Sequence, residues 1–324
     1  MTQRLLKILE NFRNKKILVV GDIMLDKYIW GEVSRISPEA PVQVVNVLKE
    51  TYAPGGASNV ASNASALKGK VFMVGIAGND EAKEILLEEL KKRGVNTEGI
   101  LIYKDKPTTQ KVTIVGRGQQ LLRVDYENKE HIHKETEHNL IKFLEKIIEG
   151  IDAIVISDYA KGVITTALIN TLIGTAKKFN KPIIVDPKPK HLDLYSNVTL
   201  ITPNNAEASE MTDLEDGSDD VVEGMGSKLL KHLNTNVLIT RGEKGMSLFE
   251  KNGSITHIPA KAKEVYSIIG AGDTVVATIS LAIASSASLK EAATLANIAA
   301  GIKVGKIGTA SVSVEEIKRE IENL

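Results

Sequence analysis

Ile17-Leu18-Val19-Val20-Gly21-Asp22 is an unbroken apolar run that stops at a glycine and a carboxylate. Its apolar residues do not alternate with polar ones, so the strand they form is buried on both faces. The same unit, a short β-branched run, a Gly- or Asp-bearing turn and then a helical pattern, returns along the chain. Val71-Phe72-Met73-Val74-Gly75 precedes a helix predicted from Glu81 to Arg93. Ala153-Ile154-Val155-Ile156-Ser157-Asp158, Pro182-Ile183-Ile184-Val185-Asp186, Leu200-Ile201-Thr202-Pro203 and Val237-Leu238-Ile239-Thr240-Arg241-Gly242 continue the series. This alternation predicts an α/β fold: a mostly parallel sheet covered by helices on both sides. Ligands then bind at the carboxyl ends of the strands, where these Gly and Asp residues fall.

Two segments break the rhythm. Tyr28 to Tyr52 contains Pro41-Val42-Gln43-Val44-Val45-Asn46-Val47, and Thr108 to Tyr126 contains Lys111-Val112-Thr113-Ile114-Val115 and Leu121-Leu122-Arg123-Val124-Asp125. Both read as strands of a small separate sheet, inserted into the main domain and placed to cover its site. The last third is helical and rich in small residues, over Thr274 to Ala284 and Leu289 to Val304, and a charged amphipathic helix runs from Val314 to Leu324. The acidic stretch Thr212 to Asp220 reads as a solvated loop.

The 324 residues are 43% hydrophobic and 25% charged, an ordinary globular composition. Lys plus Arg (41) equals Asp plus Glu (41), so bulk charge favours neither nucleic acid nor an acidic membrane. The absence of cysteine excludes disulfides, thiolate metal sites and a Cys nucleophile. Met1 to Lys16 reads as a charged amphipathic helix without the apolar core of a signal peptide. No apolar stretch approaches the roughly 20 residues that span a bilayer. The expectation is a cytoplasmic protein, with the glycosylation-like triplets at Asn63 and Asn197 as chance matches.

Chemistry concentrates in five places. Gly270-Ala271-Gly272-Asp273-Thr274 opens the Ala-rich helix. Glycines at a helix start let N–H groups and the helix dipole meet an anion. Asp273 there is either a helix N-cap or a base that takes a proton from an attacking hydroxyl. Pro54-Gly55-Gly56-Ala57-Ser58-Asn59-Val60-Ala61 is either a tight turn with an Asn cap or a polyol contact. Gly21-Asp22-Ile23-Met24-Leu25-Asp26 sets two carboxylates near the end of the first strand, for capping or for sugar hydroxyls. Thr202-Pro203-Asn204-Asn205-Ala206-Glu207 offers an amide and a carboxylate three apart, suited to ordering hydrated Mg²⁺. Thr240-Arg241-Gly242-Glu243-Lys244-Gly245 offers a hydroxyl and glycines to a nucleotide. No Gly-x4-Gly-Lys-Ser/Thr sequence occurs, which excludes a P-loop, and no Gly-x-Gly-x-x-Gly follows the first strand. His131 and His133 read as surface residues.

In this order the pieces resemble the ribokinase-like (PfkB) carbohydrate kinases: strand-end Gly-Asp, Gly-Gly-x-x-x-Asn, Asn-x-x-Glu, Thr-x-Gly-x-x-Gly and Gly-Ala-Gly-Asp, over roughly residues 17 to 310. The subgroup resembled most is the kinase half of the enzymes that make ADP-heptose, which phosphorylate D-glycero-β-D-manno-heptose 7-phosphate to the 1,7-bisphosphate for lipopolysaccharide. That likeness rests on Arg35-Ile36-Ser37-Pro38-Glu39-Ala40-Pro41-Val42, Gln119-Gln120-Leu121-Leu122-Arg123-Val124-Asp125, Ser157-Asp158-Tyr159-Ala160-Lys161-Gly162, Asp186-Pro187-Lys188 and Gly301-Ile302-Lys303-Val304-Gly305-Lys306-Ile307-Gly308-Thr309.

The resemblance implies a ribokinase-like three-layer core, ATP and Mg²⁺ as cofactors, and Asp273 as catalytic base with the N–H groups of Gly270, Ala271 and Gly272 as anion hole. It implies Asn204 and Glu207 at the Mg²⁺ and phosphates, Thr240, Gly242 and Gly245 along the nucleotide, and Asn297 beside the adenine. Asp26, Gly56, Asn59, Gln120, Arg123 and Asp186 would hold the sugar, and Lys161 and Lys188 its phosphate. Residues 1–324 would form one kinase domain, without a nucleotidyltransferase domain, whose small sheet acts as lid and joins a homodimer. Neither nucleic acid nor a membrane is expected as partner. The rival readings are another acceptor on the same fold, such as a fructose phosphate or a nucleoside, and a non-catalytic sugar-binding protein.

One departure bears on cations. Ser267 and Ile269 stand where many members carry an Asp and a Thr that help hold a monovalent ion. Turnover is therefore expected to depend weakly on K⁺; a large rate gain on adding K⁺ to a sodium-free assay contradicts this.

Overall fold

The run from Ile17 to Val20 is fully buried and lies in an interior strand of the parallel part of a large sheet. The structure is a computed structural model that describes residues 1–215, 217–261, 265–306 and 310–323. Ile307, Gly308 and Thr309 of the late motif, Asp216 of the acidic stretch and Leu324 lie outside the described residues. The described strands are β1 (Lys16–Gly21), β2 (Ile23–Ile36), β3 (Gln43–Gly56), β4 (Lys70–Ala77), β5 (Asn96–Ile102), β6 (Gln110–Gly116) and β7 (Gln119–Tyr126). They continue with β8 (Ala153–Ser157), β9 (Ile183–Asp186), β10 (Leu200–Ile201), β11 (Asn236–Thr240), β12 (Met246–Phe249) and β13 (Ile255–Ile258). The helices are α1 (Thr2–Glu10), α2 (Ala57–Ala66), α3 (Glu81–Lys92), α4 (Lys134–Ile147), α5 (Thr166–Lys178), α6 (Asn205–Thr212), α7 (Asp219–Leu233), α8 (Ala271–Ala284), α9 (Leu289–Val304) and α10 (Val314–Glu322).

Nine strands form one sheet in the order β13-β12-β11-β10-β9-β8-β1-β4-β5. The pairs from β11 to β5 are parallel, whereas β12 and β13 close one edge antiparallel. Two apolar clusters cover its two faces. One joins Val19, Met73 and Leu238 to α1, α2, α8, α9 and α10; the other joins Leu18, Val20 and Ile156 to α4, α5 and α7. Neighbours in a strand thus bury into opposite layers, which is why these runs are apolar without alternation. None of the described helices is long and apolar enough to cross a membrane.

The second sheet has the order β3-β2-β6-β7. Its long hairpin begins directly after β1, so Asp26 lies inside β2 and not at the end of the first strand, unlike the sequence expectation. Asp26 pairs in register with Ala53 and Lys111, and Lys111 with Asp125. Opposed residues share a face, so Asp26, Lys111 and Asp125 lie together. The other face exposes Leu122, Val124 and Tyr126.

Candidate active site

Gly270 precedes α8 in the left-handed region at φ +74°, which favours glycine. A Cβ there would meet Asn59 Nδ2 at 2.9 Å. Asp273 sits in the first turn of α8 at 8% exposure. Asn59 Nδ2 donates to Asp273 Oδ2 at 2.5 Å, and the Tyr159 hydroxyl donates to Oδ1 at 3.0 Å. Burial raises the Asp273 pKa, while these two donors and the charges of Lys111 and Lys188 pull it back. The Ala271 N–H already donates to Ile268 O at 3.2 Å. Gly272 and Asp273 follow in the first turn of α8, where N–H groups have no carbonyl four residues back inside the helix.

Asp273 opens onto a cleft of about 180 Å³ at the carboxyl ends of β9, β10 and β11. Tyr159, Asp186 and Lys188 line it, as do Asn204, Glu207 and Thr240, with Gly270 and Gly272 at the helix start. Burial and the charges of Asp273 and Glu207 push Asp186 well above the usual carboxylate range. Burial lowers the Lys188 pKa, but its ion pair with Glu207 outweighs this and holds it above its usual value. Burial also pushes Asp26 up to about 6, with Lys111 opposing and Asp273 assisting.

The remaining expected residues divide. Asn204 and Glu207 form a reciprocal cap on α6: Glu207 N–H donates to Asn204 Oδ1 at 2.9 Å, and Asn204 N–H to Glu207 Oε2 at 3.0 Å. Asn59 meets Asp273 itself, and Gly56 begins α2 with its backbone against Asp22 O. Lys161 pairs with Glu127, and Arg123 with Asp125 at 2.9 Å, so both cations are already engaged. Gln120 lies exposed on β7. Gly245 is packed against the backbone of Ile258 and Ala260, whereas nothing stands within 4 Å of a Cβ at Gly242. Asn297 donates to Pro259 O at 2.8 Å, tying α9 to the segment after β13. His131 and His133 are exposed, as expected.

Residues 14–317 match the model of the pfkB family carbohydrate kinases. The chain belongs to that family. Its enzymes are phosphotransferases with an alcohol acceptor, and this chain is one of them. Among curated relatives, the bifunctional protein HldE of Helicobacter pylori strain J99 is 44% identical over 308 residues, covering 94% of this chain and 65% of that protein. HldE of Desulfatibacillum aliphaticivorans is 43% identical over 313 residues, covering 96% of this chain and 64% of that protein. The chain thus spans just under two thirds of the length of these relatives. Escherichia coli phosphofructokinase-2 in complex with potassium superposes with a TM-score of 0.79 at 21% identity, over 95% of this chain and 98% of that one. Arabidopsis thaliana ribokinase complexed with ribose and ATP gives 0.75 at 20% identity, over the same shares. These two likenesses carry the fold.

Within this pfkB kinase, sequence reasoning missed three groups. Tyr159 reaches Asp273 from the loop after β8, and its ring centre lies 5.5 Å from both Lys111 Nζ and Lys188 Nζ. Lys111 forms no ion pair among the described residues. Lys303 is buried behind Gly270, where its Cε would lie 3.5 Å from a Cβ, and its ammonium donates to Ala310 O at 3.0 Å. Asp22, read as capping or sugar-binding, is 1% exposed and accepts the N–H groups of Tyr159, Lys161 and Val163 at 2.9, 3.1 and 3.1 Å. It holds the loop after β8.

Among the described residues no cluster of three His, Cys, Asp or Glu groups can cage a metal. Asp186 and Glu207 nevertheless face one cleft and repel each other. A hydrated Mg²⁺ carried on nucleotide phosphates would relieve that repulsion, and carboxylate oxygens suit it. The donor set fits such an ion.

Proposed function

We propose that this kinase transfers the terminal phosphoryl group of ATP to the anomeric hydroxyl of D-glycero-β-D-manno-heptose 7-phosphate, giving the 1,7-bisphosphate and ADP. The observation that carries the chemistry is the Asp273 carboxylate, held by two donors at the start of α8 and open to the cleft. The acceptor is supported by the 43–44% identity to proteins named HldE over nearly the whole chain.

Asp273 takes the proton of the attacking hydroxyl. An anomeric hydroxyl is more acidic than an ordinary alcohol, which eases that transfer. The N–H groups of Gly272 and Asp273, with the dipole of α8, face the charge that spreads over the moving phosphoryl group. Lys188 adds a cation to the same cleft. Mg²⁺, when bound with the nucleotide, neutralises phosphate charge, and Glu207 and Asp186 would hold its water shell. The small sheet acts as a lid whose inner face brings Asp26 and Lys111 to the acceptor and excludes water that would hydrolyse ATP.

A panel of acceptors in a coupled ADP-release assay tests the reading. With MgATP, kcat/KM for the heptose 7-phosphate is expected to exceed that for fructose 6-phosphate, ribose or adenosine by roughly 100-fold or more. Preference for one of the others overturns the acceptor, and tight sugar binding without any ADP release overturns the kinase.

A further inference from the structure

Tyr159 is tied to the base by an arrangement that spans three parts of the chain. Its backbone N–H donates to Asp22 Oδ2 at the end of β1, and the next residue, Ala160, takes a left-handed conformation at φ +53°. The Ala160 N–H donates to Asp158 Oδ1 at 2.8 Å. Asp158 is itself buried, and its Oδ2 meets His191 Nδ1 at 2.8 Å and the Tyr195 hydroxyl at 2.7 Å. Two buried carboxylates thus shape the backbone on either side of Tyr159. A non-glycine residue at positive φ persists only where its surroundings over-determine it. Here they do so beside the base.

From this placement we infer that the Tyr159 hydroxyl is a positioning group for phosphoryl transfer: it orients the Asp273 carboxylate and holds it in its ionised form. Each carboxylate oxygen accepts two hydrogen bonds. Tyr159 uses one site on Oδ1 and Asn59 one on Oδ2, which fixes the plane of the carboxylate and leaves one site on each oxygen for the acceptor hydroxyl. Burial and the charges of Asp273 and Asp186 push the Tyr159 hydroxyl well above the usual phenol range. It therefore stays protonated and acts as donor throughout turnover. Lys111 and Lys188, each 5.5 Å from the ring centre, hold the ring between the small sheet and the main cleft.

The inference rests on the reading of Asp273 as base. A donor to the ionised carboxylate lowers its pKa, so removing that donor raises it. Turnover that needs the ionised base is lost as pH falls through this pKa, and the acid limb must move to higher pH. The test is the kcat–pH profile of wild type and Tyr159→Phe with MgATP and whichever acceptor turns over best in the panel. Phe keeps the ring and its packing. The expected result is a plateau kcat lower by roughly tenfold, as for loss of a hydrogen bond to a charged group, and an acid limb shifted upward by roughly one pH unit. The position of the limb is independent of the fraction of folded enzyme, so a variant that is merely less stable still reads. An unshifted limb overturns the inference, whatever the plateau rate. A separate failure, turnover retained in Asp273→Asn, overturns the base assignment instead.

Discussion

Asp273→Asn is expected to lower kcat by roughly 10³-fold, in the middle of the range for loss of a general base. The amide cannot take the proton of the acceptor hydroxyl, although its volume matches the carboxylate. Nucleotide and acceptor affinity should stay within a few-fold of wild type, because Thr240, Glu207, Lys188 and the N–H groups of α8 are untouched. One local cost is foreseen. Asn59 already aims its Nδ2 at this side chain, and an amide nitrogen there would face another donor. Either Asn59 turns over, giving up the bond that its Oδ1 accepts from Asn63 Nδ2 at 3.2 Å, or the new amide presents its oxygen to Asn59 and its NH₂ to Tyr159. Calorimetric titration with ATP separates this from loss of binding. A kcat within tenfold of wild type contradicts the assignment.

Asp22→Ala is expected to give the largest loss of stability, about 3 kcal/mol in urea unfolding, since it leaves three N–H donors without their acceptor. The cost falls where the chain is packed: Asp22 is 1% exposed, and Gly21 directly before it lies against the Ser157 backbone. The loop from Tyr159 to Val163 loses its anchor, so Tyr159 leaves Asp273 and kcat falls as well. Asp22→Asn, which keeps one acceptor oxygen, should fall between. A loss below about 1 kcal/mol for the alanine variant would show that the loop holds itself.

Much of this fold is legible in the sequence because burial leaves a mark on composition. The runs at Ile17, Val71, Ala153 and Ile183 are apolar on consecutive residues, and each became a parallel strand. The alternating segments became the second sheet. The antiparallel edge was not read, because Met246–Phe249 and Ile255–Ile258 are four-residue strands with no helix between them. At the site, Asp273 is readable because a charge next to two glycines at a helix start is chemically costly without a task. Tyr159 is not, since its closeness to Asp273 arises from Asp22 and Asp158, far away in sequence. The lysines divide for the same reason. A sequence displays a cation but not its partner, and only the folded chain brings Glu127 to Lys161 and Glu207 to Lys188.

The most direct test is ³¹P NMR of the product formed from D-glycero-β-D-manno-heptose 7-phosphate and MgATP. The expected spectrum retains the 7-phosphate, gains a second ester phosphorus coupled to the anomeric proton, and shows no such signal with Asp273→Asn. A new phosphate on any other carbon, or ADP and inorganic phosphate alone, would contradict a base seated to activate the anomeric hydroxyl.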